Sequence, residues 1–154
     1  MRARENFEKI RMTQGAESAE YSSFSHTFNL WYEKPYDEAF GLGFGPLVML
    51  YANDDGQSSL GQRMRLSNFG VEYKKWHKGR YFYRLGGYLN YLRFENPNSD
   101  SLNGAGILIA YGYEVDFDGI GLAFEGGIKK HQFQDRWSAF TVIVAIGVHF
   151  YEML

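Results

Sequence analysis

The sequence contains no cysteine, only three prolines and no apolar run near the ~18 residues that a membrane helix requires. Without cysteine there is no disulfide framework, no thiolate nucleophile and no cysteine-ligated zinc. Charge of one sign is missing too. Sixteen Lys and Arg stand against 18 Asp and Glu, a formal net charge of -2. No basic surplus points to nucleic acid, and no acidic surplus to a disordered tail. No helical periodicity, internal repeat or linker divides the chain. Met1–Ile10 lacks the apolar core of a secretory signal peptide, so export would depend on a signal outside this sequence. What is abundant is aromatic and small. Phe, Trp and Tyr make up 18% of the 154 residues, beside 18 glycines. Mean hydropathy is nevertheless only -0.39.

The dominant period is two, the signature of strands, whose side chains alternate between faces. Ile107, Ile109, Tyr111, Tyr113, Val115 and Phe117 form one row, and Gly106, Leu108, Ala110, Gly112, Glu114 and Asp116 the other. Phe140, Val142, Val144, Ile146, Val148 and Phe150 repeat the pattern. Asp118-Gly119 is a two-residue hairpin signal. The alternation predicts strands over 21–33, 39–51, 62–75, 80–94, 105–117, 120–130 and 137–151. An eighth over 3–14 competes with a short amphipathic helix. Between Met64 and Phe69 the apolar phase changes, which reads as a β-bulge near Ser67–Asn68. Pro46 within 39–51 is tolerable only at a bulge or where its missing N–H is not needed. Short turns (34–38, 76–79, 118–119) alternate with longer polar connections (52–61, 95–104, 130–136), and 15–20 would be another. The whole chain, 1–154, is thus expected to form one antiparallel up-and-down meander.

Alternation does not say which face is inside, but the composition of the second row does. A soluble barrel would present Lys, Glu, Ser and Thr to water. This row instead holds Gly41, Gly43 and Gly45, then Ala110 and Gly112, then Gly121, Ala123 and Gly127. Small residues suit the interior of a narrow eight-stranded barrel. The apolar rows Ile107–Phe117 and Phe140–Phe150 match the ~9–11 residues of a tilted membrane strand and exceed the ~5–6 usual in globular strands. Trp31, Tyr32, Tyr73, Trp76, Tyr81, Tyr83, Tyr113 and Phe150 gather at the short-turn end, and Trp137 marks the other end with Tyr51, Tyr91, Phe94 and Phe140. Aromatic girdles around an aliphatic band are what bilayer interfaces select. The reading is all-β: an eight-stranded antiparallel up-and-down transmembrane β-barrel. Its short turns would lie in the periplasm and its longer loops outside, as in the bacterial outer membrane. A soluble carrier with an apolar interior is the inverted alternative.

Over residues 21–151 the chain resembles the small eight-stranded outer-membrane barrels of Gram-negative bacteria, of the OmpA transmembrane-domain, OmpX and OmpW types. Val142-x-Val144-x-Ile146-Gly147-Val148-x-Phe150 looks like their C-terminal assembly signal, although Tyr151–Leu154 moves the aromatic off the last position. The resemblance implies recognition by the outer-membrane assembly machinery.

The inner row carries charge: Glu72, Arg84, Glu114, Glu125 and Lys129, with Lys74 near the rim. Unpaired buried charges are costly, so an ion-pair network around Arg84 is expected, closing the lumen. If it is the plug, Arg84→Ala should raise conductance. The corresponding function is a non-enzymatic integral outer-membrane protein of structural or binding type. Alternatives are a lipid A-modifying enzyme and a small pore for ions or small solutes. The enzyme needs a His/Ser pair on one face at the outer rim. Ser25 and His26, adjacent along a strand, point to opposite faces. His77 and His131 fall in connections by the expected boundaries, His149 faces inward near the rim, and no spacing suggests a metal. No cofactor is expected. Expected partners are the lipid bilayer and lipopolysaccharide, with outward Gly87 and Gly126 as a candidate contact between copies, and no nucleic acid.

Overall fold

The period of two becomes strand throughout: β1 (Arg2–Gln14), β2 (Glu17–Lys34), β3 (Glu38–Phe44), β4 (Met49–Asn53), β5 (Arg63–His77), β6 (Tyr81–Phe94), β7 (Ser101–Phe117), β8 (Ile120–Phe133) and β9 (Trp137–Phe150). A 3-10 turn, Gln134–Arg136, precedes β9. The computed structural model describes residues 2–14, 17–34, 37–44, 49–53, 63–94, 101–117 and 120–150. Side chains are described for 7–14, 18, 20–22, 37–38, 65–94, 101–117, 120–135 and 137–148. The Asp118-Gly119 hairpin, Pro46 and the Tyr151–Leu154 extension lie outside the described residues, as do the side chains of Ser25, His26 and His149.

All pairings are antiparallel. From β5 to β9 each strand pairs with its successor, and β9 pairs with β1. β1 also pairs with β2, and β2 reaches β5 through both β3 and β4. The pairings therefore return to their start. With β3 and β4 taken as two halves of one staved position, the ring is eight strands around. Residues 2–14 are strand and not helix because β2 and β9 both hydrogen-bond to them.

Two local expectations are corrected. β5 and β6 keep one register from Met64↔Phe94 to His77↔Tyr81, so no bulge interrupts Ser67–Asn68. Leu66 and Asn68 both face inward. The phase change marks a change in what lines the interior. The register slip falls instead between β3 and β4. Continuing the pairing of Phe44 with Phe69 would set Met49 against Met64, yet Met49 faces Leu66. The second correction concerns length: Glu17–Glu20, Ser101–Gly104 and Lys130–Phe133, expected as loop, are strand. At the opposite end Lys78 and Gly79 take φ of 49° and 79°, the left-handed turn that joins β5 to β6.

The wall has two zones. Through the middle, Leu85, Leu89, Ile107, Ile109, Ile128, Val142, Val144 and Ile146 point outward and are exposed. Toward the ends of β5 to β9 farthest from the Lys78–Gly79 turn, the pattern inverts. Arg65, Arg93, Ser101, Asn103, Lys130 and Gln132 face outward, while Ile10, Met12, Leu66, Leu92, Phe94, Leu102 and Phe133 pack inside. This end is built like a small soluble barrel standing on an apolar-walled one. On its outer surface Glu20 accepts from Lys9, at 3.2 Å, and lies 2.9 Å from Arg11. The Lys9 hydrogen bond, reinforced by the charge of Arg11, holds the Glu20 carboxyl below the usual carboxylate range.

Candidate functional site in the barrel lumen

The inner row stacks chemically distinct layers. Nearest the Lys78–Gly79 turn, Trp76, Phe82 and Ala123 form an apolar cluster. The Lys74 ammonium lies 3.9 Å from the centroid of the Trp76 ring and 3.8 Å from that of Phe82. It donates to Glu114 Oε2 at 2.6 Å, with both side chains fully buried. A desolvated cation so placed gains from the ring quadrupoles as well as from its carboxylate.

Above it, Arg84 bridges two strands' acids. Its Nη1 donates to Glu72 Oε2 at 2.7 Å, and its Nη2 donates to Glu125 Oε1. The Tyr88 hydroxyl donates to the other oxygen of Glu72. Strand register explains the geometry. Glu72 pairs with Gly86, so Arg84 reaches it diagonally, and the missing side chain at Gly86 leaves room for the Tyr88 ring. Farther on, Lys129 donates to Glu8 Oε1 at 3.1 Å.

The next layer is polar but uncharged. Asn68 pairs with Asn90 across β5 and β6, and His131 and Thr141 enter from β8 and β9. A Cβ at Gly106 would stand 2.8 Å from His131 Nδ1 and 2.9 Å from Asn90 Nδ2, which shows how closely these groups approach. All four side chains are buried, and their polar atoms have no hydrogen-bond partner among the described residues. The final layer is the apolar cluster of Ile10, Met12, Tyr21, Leu66, Leu92, Phe94, Leu102, Phe133, Trp137 and Ala139.

The residues singled out from the sequence divide accordingly. Glu72, Arg84 and Glu125 come together. Glu114 joins Lys74 and not Arg84, and Lys129 joins Glu8. Glu8, Tyr88, Asn68, Asn90 and Thr141 were not singled out. Parity would have found Glu8 once 2–14 is known to be a strand. His131, expected in a connection, is in β8, fully buried and stacked on Phe133 at 6.0 Å.

Among the aromatics expected at the girdles, Tyr81 and Tyr83 are exposed on the outer wall, with Tyr73 and Tyr113 half-buried. They form a tilted and stacked set with Tyr111 and His77. Trp76, Trp137 and Phe94, expected at the girdles, instead point inward, at 4%, 8% and 6% exposure. Near the ends of the barrel the interior takes large rings: Trp76 covers Lys74, and Trp137 packs on Phe94 at 5.4 Å. The side chains of Trp31, Tyr32 and Phe150 lie outside the described residues.

This arrangement of antiparallel strands is a fold already seen in a solved structure. The chain is similar to Neisserial surface protein A, NspA. The two superpose with a TM-score of 0.67 over 97% of this chain and 96% of the NspA chain, at 14% sequence identity. No family model matches the sequence, and no curated protein matches it. The likeness to NspA is thus one of fold, and it agrees with the resemblance to small eight-stranded outer-membrane barrels drawn from the sequence.

Proposed function

We propose that the protein is a non-enzymatic integral outer-membrane barrel of structural or binding type, with a lumen closed by its own side chains. The observation that carries this is the outer wall. Soluble monomers rarely expose contiguous apolar patches beyond about 300–600 Å². Here Leu85, Leu89, Ile107, Ile109, Val142, Val144 and Ile146 are exposed on neighbouring strands while Arg84, Lys74 and Glu114 are buried. That inversion fits hydrocarbon outside, and disfavours the soluble carrier with an apolar interior. The fold shared with NspA supports the same reading. On this reading the lipid bilayer and lipopolysaccharide are the surroundings of the wall, and the Arg84 network, together with the apolar cluster beyond it, closes the lumen.

Detergent partition with heat-modifiable gel migration tests the proposal. The full chain is expected to need detergent for monodispersity and to migrate faster unheated than boiled. A monodisperse monomer without detergent would overturn it.

A further inference from the structure

On the outer wall, β7 and β8 leave a shallow groove of about 210 Å³ lined by Ala105, Gly106, Ile107, Lys130 and Gln132. Register fixes its height. Ile107 pairs with Lys130 and Ala105 with Gln132. Lys130 pairs on its other side with Phe140, which Arg11 flanks from β1. The groove therefore lies where the last apolar rows, Ile107 and Phe140, meet the basic residues of the polar end. Ala105 projects too little to fill the space between its outward neighbours Ile107 and Gln132.

Charge points to the occupant. Arg11 and Lys9 share Glu20. Lys130 is exposed and has no ion-pair partner among the described residues. A small slot beside an uncompensated ammonium, just on the polar side of the last aliphatic row, matches the junction of headgroup and acyl chain in an anionic amphiphile. We propose that this groove binds one anionic phospholipid, with its phosphate seated over Ala105 between Lys130 and Gln132 and an acyl chain running from there along Ile107 toward the apolar middle of the wall. The proposal rests on the membrane reading above.

The test uses the full chain in phosphatidylcholine vesicles doped with phosphatidic acid, followed by detergent extraction and native mass spectrometry of the retained lipid. Wild type is expected to retain phosphatidic acid in preference to phosphatidylcholine. Lys130→Gln should lower that preference about five-fold, the factor expected of one lysine at an anionic lipid surface. Ala105→Phe, which fills the slot, should lower retention of both lipids, and excess inorganic phosphate should displace neither. Equal retention of both lipids by wild type, an unchanged preference in Lys130→Gln or displacement by inorganic phosphate would each overturn the site while leaving the membrane reading intact. A chain that never enters the vesicles would overturn both.

Discussion

Arg84 holds two glutamates that would otherwise repel each other across the lumen. Removing one partner of a buried pair costs about 3–5 kcal/mol, because the remaining charge stays desolvated. Arg84→Ala is accordingly expected to lower stability by that amount in urea unfolding followed by gel migration. The triple change Arg84→Met, Glu72→Gln and Glu125→Gln should recover most of the loss, since no unpaired charge remains. Asn68 and Asn90 pose the opposite case. Each carries buried amide atoms without a partner among the described residues, worth about 1–3 kcal/mol apiece. Asn68→Leu with Asn90→Leu should therefore raise the urea midpoint and extend the apolar cluster that begins at Leu66 and Leu92.

Between β5 and β6, glycines at neighbouring positions have opposite tolerance. A Cβ on Gly70 would come within 2.0 Å of the Gly87 carbonyl oxygen and 2.8 Å of the Tyr88 backbone. A Cβ on Gly87 would meet nothing within 4 Å. Gly70→Ala is expected to block folding into the heat-modifiable form, and Gly87→Ala to fold like wild type. The ladder is the reason: one glycine faces the crowded interior and the other the open wall. The same parity made Glu72, Arg84, Glu125 and Lys129 legible as inward residues. At Leu66 the phase change reads as a bulge in sequence, whereas the side chain simply faces inward, because the polar end reverses the rule that the middle of the barrel sets.

On the proposed reading several barriers stand in series along the lumen: the Trp76–Phe82 cluster with Lys74 and Glu114, the ion pairs around Arg84 and, farther along, the cluster containing Phe94 and Trp137. This revises the expectation that Arg84→Ala alone raises conductance. In planar bilayers, neither Arg84→Ala nor Phe94→Ser with Trp137→Ala should exceed wild type, because the remaining layers still close the path. A conducting Arg84→Ala protein would show that the apolar cluster does not seal the path.

The order of residues by itself determined most of the strands from residue 21 onward, their antiparallel sequence and which row faces in through the middle of the barrel, because a period of two with glycine and alanine on one side and aliphatics on the other admits few arrangements. That residues 2–14 are strand was decided by their pairing with β2 and β9. It determined that Arg84 would sit among glutamates, because unpaired charge is costly inside a barrel. Which glutamate each cation takes was decided only by the tertiary structure. Across β5 and β6 the register sets Lys74, not Glu72, opposite Arg84, so Arg84 reaches Glu72 diagonally and takes Glu125 as well, while Lys74 takes Glu114. The inward turn of Trp76 and Trp137 and the apolar inner cluster of the polar end were likewise decided in three dimensions. A side chain's surroundings come from strands distant in sequence, and the alternation of one strand carries no record of them.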